Sequence, residues 1–272
     1  MIPAVLVGIK AVRAGPPLFE VFLPEYYASY DKMIQAGIFN KTLFGGISHE
    51  AHFGSNLRHV ASVFGSLTDF ENPFITNYEV RDERNFGGRT YLELTWEDTG
   101  VEATNWKWNL GLEWQQSHHE IVNYDNEGNA IRGALQAADE FKTNSHFYFT
   151  SFTANFYDRF TAEAAVSLNF YKYNFEALSA GTAPSGENGF SPQWMPRLSL
   201  SYLLNSNLAW RASVSRGYSP PTTAEIRPSN QIVNTDLQAE TGWNYETGFR
   251  YMSWNNRLQM DASIYFYKME EA

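Results

Sequence analysis

Cysteine is absent from the 272-residue sequence, and so is any long apolar run. The lack of cysteine excludes disulfides and thiolate metal sites. Without a run of about 18 apolar residues, a membrane-spanning helix is excluded as well. Positive charge is also scarce, since 20 lysines and arginines stand against 30 aspartates and glutamates. The resulting net charge of −10 argues against nucleic acid as a partner.

Aromatic residues, in contrast, are abundant, with 20 Phe, 16 Tyr and 8 Trp. So many rings are unusual for a soluble domain, whereas a lipid-facing barrel surface with aromatic girdles accommodates them. The mean hydropathy of −0.40 is compatible with such a surface. Only alternate residues of a transmembrane strand face lipid, and the loops between strands are polar.

About ten segments alternate apolar and polar residues with the two-residue period of a β-strand. The clearest is 105–115, in which tryptophans and leucines alternate with polar residues and glycine. These segments are near the length that a tilted strand needs to span a bilayer. The predicted strands are 42–51, 57–66, 89–96, 105–115, 143–156, 160–173, 197–203, 208–216, 244–250 and 257–266.

The predicted connections alternate between short and long. Short turns are expected near residues 54, 99, 158, 205 and 254, and long polar loops over 70–88, 117–142, 176–194 and 217–242. Short periplasmic turns and long extracellular loops are the layout of an outer-membrane barrel. The sequence therefore predicts an all-β fold, an antiparallel transmembrane β-barrel segment of about ten strands, over residues 41–272. Residues 1–40 are predicted to be a loop or an irregular lead-in, with a short helix over 26–36.

One stretch, 208–252, carries a family resemblance. It contains an Arg-Gly-aromatic-x-Pro-Pro-Thr run at a strand end, then Asn-x-x-Leu-x-x-Glu, then Asn-Tyr-Glu-x-Gly-x-Arg. The combination resembles the late barrel region of TonB-dependent outer-membrane receptors, and within them the iron-complex receptors. The residues concerned are Arg216, Gly217, Pro220, Pro221, Thr222, Asn234, Leu237, Glu240, Asn244, Tyr245, Glu246, Gly248 and Arg250.

The resemblance implies a receptor in the outer membrane of a Gram-negative bacterium, in contact with outer-membrane lipid. Its expected ligand is a metal chelate such as a ferric siderophore, and TonB-ExbB-ExbD would supply energy through a plug domain. No plug is recognised here, and Met1–Ala14 carries its charges after its apolar residues, unlike a signal peptide. We therefore expect a fragment of a 22-stranded barrel, with no cofactor and no catalytic activity.

Two alternatives stay open. One keeps the barrel and changes the ligand to an oligosaccharide or cobalamin, because aromatic rings also stack on sugars. The other is a soluble β-rich carbohydrate-binding module or glycosidase. A soluble sandwich should show turn signals about every 8–12 residues, which the long strands and alternating connections do not.

Histidine clusters are the first candidate sites. His49 and His52 have H-E-x-H spacing on a strand, where they would face opposite sides, so ordinary polar residues are favoured over a zinc site. His118 and His119 begin a predicted loop with Asp125 and Glu127 nearby. A solvated loop is favoured there over a metal-chelate site.

Other polar groups have structural interpretations too. Asn85–Arg89 is expected to be a flexible loop tip, since phosphate cradles need a strand-loop-helix context. Tyr218, Pro220 and Pro221 are placed at a loop base, with Arg227 and Asn230 further out, and no ligand contact is assigned to them. The remaining polar groups would form a charged lumen wall rather than an acid–base pair: Glu93, Glu113, Glu163, Glu246 and Asp261, alternating with Arg89, Lys107, Arg211, Arg250 and Arg257.

Overall fold

The computed structural model describes residues 5–14, 36–97, 104–179, 185–228, 232–253 and 257–270, the first of these as backbone only. They form one antiparallel 12-stranded sheet in which strands follow each other in chain order, with β8 added beside β7. The strands are β1 (Val5–Ala14), β2 (Phe39–Phe53), β3 (Leu57–Pro73), β4 (Tyr78–Glu97), β5 (Thr104–Asn126), β6 (Arg132–Phe156), β7 (Phe160–Ala177), β8 (Gly186–Gly189), β9 (Gln193–Asn205), β10 (Leu208–Ser219), β11 (Glu240–Ser253) and β12 (Leu258–Glu270).

A four-residue helix, α1 (Thr223–Ile226), lies between β10 and β11. No helix in the described ranges is both long and apolar enough to cross a membrane.

The outer face of the sheet is apolar because the register pairs the apolar residues of each strand with those of its neighbours. Leu112 of β5 pairs with Tyr148 of β6, Tyr148 with Leu168 of β7, and Leu168 with Trp194 of β9. Leu112, Tyr148 and Trp194 are exposed. A continuous exposed apolar face of this kind is what hydrocarbon accommodates and water does not.

Aromatic rings gather at two levels of this outer face. Near the short turns, Trp106 packs on Phe156 with ring centroids 5.7 Å apart. At the other end of the apolar band, His146 stacks on Phe170 at 4.7 Å. Two such bands are the girdles that flank the hydrocarbon region in outer-membrane barrels.

The predicted short turns at residues 54, 158 and 205 are confirmed. Tyr157 and Asp158 both have positive φ, near 50°, and the Arg159 amide donates to the Phe156 carbonyl at 3.0 Å. This is the geometry of a type I′ turn, whose twist matches that of the flanking strands. The expected turns near 99 and 254 fall outside the described residues, although strands begin and end on either side of them.

Two of the predicted long loops are wrong in extent. Residues 70–88 and 117–142 are strand except for the tight connections 74–77 and 127–131, because β4, β5 and β6 continue for 20, 23 and 25 residues. A tilted strand needs only about 9–11 residues to span a bilayer, so these hairpins extend well beyond it. Above the membrane the outward-facing residues of these strands are polar. The alternation of apolar and polar residues is therefore missing from the sequence there, and a polar loop was predicted instead of a strand.

The lead-in also differs from expectation. Val5–Ala14 forms strand β1 and pairs with β2, where an irregular segment was predicted. Backbone pairing with β2 defines this strand, which forms an edge of the sheet. The predicted helix over 26–36 falls outside the described residues, apart from Ala36.

The buried core lies on the extracellular side rather than in the middle of the sheet. Its cluster consists of Ile121 of β5, Phe141 of β6, Tyr173 and Phe175 of β7, and Ile226 of α1. The four strand residues have odd numbers, whereas the lipid-facing residues of β5–β7 have even numbers. The cluster therefore occupies the inner face of the extended strands, and the β10–β11 connection folds inward to cover it.

Candidate functional site: the inner wall and the loop above it

The loop that covers the inner face starts with a short, well-capped helix. Pro220 and Pro221 have fixed φ and no amide donor, so they cannot continue β10 as a paired strand. Thr222 then caps α1: its hydroxyl accepts from the Glu225 amide, and the Glu225 carboxylate accepts from the Thr222 amide at 2.7 Å. This capping box fixes the direction in which the helix leaves β10.

That direction places Ile226 in the buried cluster, where its side chain is fully buried against Ile121, Phe141, Tyr173 and Phe175. Val233 and Leu237, later in the same loop, pack on the edge of the cluster. Two hydrogen bonds secure the loop: the Asn234 amide donates to the Ile226 carbonyl at 2.8 Å, and Asn188 Nδ2 donates to the Thr235 carbonyl at 2.9 Å.

The next residue, Arg227, forms a buried ion pair with Asp139 of β6 through its Nε. The two side chains are only 1% and 3% exposed. Arg227 Nη2 is buried without a hydrogen-bond partner among the described residues. Removing two charges from water is costly, so the surrounding loop and strands must hold this pair in place.

Below the loop, the inner wall is lined with paired charges. Each of the five carboxylates singled out from the sequence lies within 4 Å of an arginine or lysine: Glu93 with Arg58 and Lys107, Glu113 with Arg89, Glu163 with Arg197, Glu246 with Arg211, and Asp261 with Arg211 and Arg250. No two of these carboxylates are left facing each other without a cation. Such a wall is hydrophilic, and each of these five carboxylates has its charge compensated by a neighbouring cation.

Asn85–Arg89 belongs to this wall, and its prediction as a flexible loop tip is wrong. It lies inside β4, where Asn85 Nδ2 donates to Ser66 Oγ at 3.1 Å. The Phe64 ring packs against the backbone at Gly87, and a side chain there would place its Cβ 2.6 Å from the ring. Glycine therefore marks a crowded strand position here and not a turn.

Arg89 lies over two rings, with its guanidinium 5.0 Å from the centroid of Phe149 and 5.7 Å from that of Tyr91. Gly111 lies between them, because a Cβ there would meet both Tyr91 Cβ and the Phe149 ring within 2.7 Å. The result is a cation held on an aromatic surface of the inner wall.

The histidine candidates do not converge. His49 and His52 lie on opposite faces of β2, as the strand period predicts, and His52 Nε2 contacts the Glu50 carboxylate at 2.8 Å. His118 and His119 lie within β5 rather than in a loop, and they too point to opposite faces. Among the described residues, no cluster of three or more His, Asp and Glu side chains fits a metal ion.

Burial lowers the pKa of His119, whose ring lies on the inner face. Asp125 accepts a hydrogen bond from Gln136 Nε2 at 2.7 Å and is engaged in the β5–β6 hairpin. The alternative of a metal-chelate site at these residues is therefore not supported.

Sequence reasoning missed the two residues that anchor the loop. Arg227 was expected in the outer part of the loop and is instead buried; Asn230 falls outside the described residues. Asp139 lies in a segment predicted to be a loop, and its partner is 88 positions away. The available signal was the alternation: Leu135, Ala137 and Phe141 are apolar at every second position, and Asp139 is the one charged residue among them.

A second polar network closes the outer end of the β3–β4 hairpin. Tyr78 donates a hydrogen bond to the Glu71 carboxylate, and Arg132 Nη2 contacts the same carboxylate at 3.2 Å. The hydrogen bond from Tyr78, reinforced by the charge of Arg132, lowers the pKa of Glu71. Arg132 also lies 5.0 Å over the Tyr78 ring, so hairpins β3–β4 and β5–β6 are tied together above the membrane.

Comparison with known proteins agrees with this architecture. The family described as TonB dependent receptor-like, beta-barrel, matches residues 21–270. The chain therefore belongs to this family, whose members are transporters of the Gram-negative outer membrane rather than enzymes. No curated protein sequence matches the chain.

Solved structures with the same fold include three receptors. The siderophore receptor PiuA of Acinetobacter baumannii is 14% identical, with a TM-score of 0.64 over 85% of this chain and 40% of that one. The alcaligin receptor FauA of Bordetella pertussis is 14% identical, with a TM-score of 0.67 over 86% and 37%. The ferric preacinetobactin receptor BauA of A. baumannii is 12% identical, with a TM-score of 0.67 over 97% and 44%. The chain thus spans less than half the length of these receptors.

Proposed function

We propose that this chain is part of the barrel wall of a larger receptor that captures a metal chelate, such as a ferric siderophore, and admits it to the periplasm. Energy would come from TonB-ExbB-ExbD acting through a plug domain. Family membership supports the transport role. The ligand class is suggested by PiuA, FauA and BauA, which share the fold.

The observation that carries the proposal is the inward-folded β10–β11 loop. It covers the inner face of β5–β7 above the membrane, and the Arg227–Asp139 pair fixes it there. A loop in this position narrows the outer entrance of the lumen, so a ligand must pass it to reach the charged wall below. Capture at the loop followed by passage along a hydrophilic wall is the sequence of events that this arrangement favours.

Uptake in cells tests the proposal. The complete reading frame would be expressed in a strain lacking its own chelate receptors, and iron-55 uptake measured with catecholate, hydroxamate and citrate chelates. We expect one class to accumulate, and accumulation to stop when TonB is deleted. Uptake of cobalamin or an oligosaccharide, with no chelate accumulated, would assign the barrel to the alternative ligand class instead.

A further inference from the structure

The outer wall carries a groove that begins at the level of the extracellular girdle and extends above it, and the uptake role leaves this groove unused. Its volume is about 800 Å³, within the range of small-molecule sites. Most of its lining residues occupy the alternate strand positions whose side chains face outward, so the groove opens outward and not into the lumen. We call this depression the outer groove and define it by Leu67, Phe86, Arg84, Lys142, Asn144 and Lys172.

Strand register arranges the groove in two rows. In the lower row, Phe86 pairs with Gln116, Gln116 with Asn144, and Asn144 with Lys172. The upper row, two residues further along each strand, is Arg84, His118, Lys142 and Asn174. Three cations and several amide donors thus face outward. Measured along the strands, the lower row lies about 6.6 Å beyond the girdle residues His146 and Phe170, and the upper row about 13 Å beyond them.

The groove changes character along its length. At its β2–β3 end it is apolar, with Leu43 and Leu67 both exposed, and Gly45 and Gly65 leave a depression beside them. Strands in such barrels tilt by about 35–45°, so a row perpendicular to the strands runs obliquely to the membrane plane. Lys142 also lies farther from its periplasmic turn than Leu67 lies from the turn at Asn56. The apolar end therefore lies at hydrocarbon depth and the cationic end at headgroup depth.

A row of carboxylates bounds the groove on the side away from the membrane: Asp82 pairs with Glu120, Glu120 with Glu140, and Glu140 with Glu176. Asp82 accepts from Arg84 Nε at 2.8 Å, and Glu140 pairs with Lys142. These pairs hold two of the cations in position and repel anions from any higher level. Lys172, in contrast, forms no ion pair with a carboxylate in the described ranges.

We infer that the outer groove binds an outer-leaflet lipid whose headgroup carries phosphate, with its acyl end on Leu43 and Leu67 and its phosphate at Lys172 and Lys142. The assignment rests on complementarity at both ends: an apolar end at hydrocarbon depth and a cationic end at headgroup depth. A neutral lipid leaves Lys172 uncompensated, and a soluble anion leaves the leucines unused.

Binding to the intact receptor tests this inference. The purified protein would be titrated with a phosphorylated outer-membrane glycolipid and with the same lipid after enzymatic dephosphorylation, and bound lipid counted by native mass spectrometry. One surface lysine contributes about fivefold in affinity for an anionic lipid. We therefore expect Lys172→Gln to weaken binding about fivefold and the Lys142→Gln/Lys172→Gln double variant about 25-fold. The dephosphorylated lipid should bind the wild type no better than the phosphorylated lipid binds the double variant.

Lys268→Gln is the matched control, because Lys268 is an exposed lysine near the extracellular end of β12, away from the groove. It should bind like the wild type. Equal losses in Lys172→Gln and Lys268→Gln, or equal binding of the two lipids, would overturn the inference. Inorganic phosphate should not displace the lipid at equal concentration, and Leu67→Gln should weaken lipid binding. If phosphate competes equally, or Leu67→Gln has no effect, the occupant is a soluble anion and the lipid assignment is wrong.

Discussion

Arg227 and Asp139 are 88 positions apart in the sequence, yet Arg227 Nε donates to the Asp139 carboxylate in a fully buried pair. The pair joins the β10–β11 loop to the inner face of β6. The neighbouring residue, Ile226, is buried in the apolar cluster, so two adjacent residues of the loop are anchored, one by packing and one by an ion pair. The covering position of the loop is therefore a defined structure rather than one of many loop conformations.

Replacing Asp139 by Asn should release the loop. The substitution leaves Arg227 buried without its counter-charge, and breaking a buried pair in this way costs about 3–5 kcal/mol. We expect amide hydrogen exchange over residues 232–239 to accelerate, while exchange in the membrane-spanning part of β6 is unchanged. Unaltered exchange in the loop would show that the pair does not hold it.

The double variant Asp139→Leu/Arg227→Met separates charge pairing from packing. Replacing a buried pair by apolar residues of similar volume is often neutral or stabilising. We expect this variant to regain most of the loop protection lost in Asp139→Asn. A double variant as unprotected as the single one would mean that the hydrogen-bond geometry, and not the removal of an unpaired charge, is what matters.

Ile226→Ala tests the apolar half of the anchor. Ile226 is fully buried among Ile121, Phe141, Tyr173 and Phe175, so its truncation leaves a cavity and should cost about 2–5 kcal/mol in loop docking. Leu178→Ala, at an exposed leucine of the same extracellular region, is the control and should cost little. Hydrogen exchange over 232–239 measures both, and equal small effects would contradict the assigned role.

The membrane-spanning parts of the strands were predictable because their lipid-facing residues must be apolar, which gives the sequence a two-residue alternation. In 105–115 the alternation of tryptophan and leucine with polar residues is complete, and β5 is found there. Above the membrane that constraint ends, so β5 and β6 continue through segments whose outer faces are polar, and the sequence predicted loops. The Arg227–Asp139 pair could not be predicted, because it depends on the loop folding over strands far away in sequence.

Gly111→Ala should destabilise the wall although it adds a single methyl group. A Cβ at this position would lie 2.5 Å from the Thr90 carbonyl oxygen and from Tyr91 Cβ, so strand or ring must move. Overpacking of this kind costs about 1–3 kcal/mol. Gly189→Ala is the matched control, since its nearest atom would be 3.6 Å away. The temperature at which the folded band shifts on a denaturing gel should fall for Gly111→Ala alone; equal shifts would refute the steric argument.

Acid should weaken the network at the outer end of β3 and β4. The hydrogen bond from Tyr78, with the charge of Arg132, holds the pKa of Glu71 below its ordinary value of about 4.3. A carboxylate with a lowered folded-state pKa stabilises the fold above the unfolded-state pKa, and that contribution is lost as pH falls through the folded-state pKa. We therefore expect the stability difference between the wild type and Glu71→Gln to be constant above about pH 5 and to shrink below about pH 4.

Thermal unfolding of both proteins across that range measures the difference. Glu97→Gln, which removes an exposed carboxylate at the other end of β4, is the control for general charge effects and should follow the wild type through the same interval. A Glu71→Gln variant that stays parallel to the wild type down to pH 3 would show that the carboxylate contributes no pH-dependent stability. In that case the charge of Glu71 would add nothing to stability, and the outer end of the hairpin would be held by the contact of Arg132 with the Tyr78 ring.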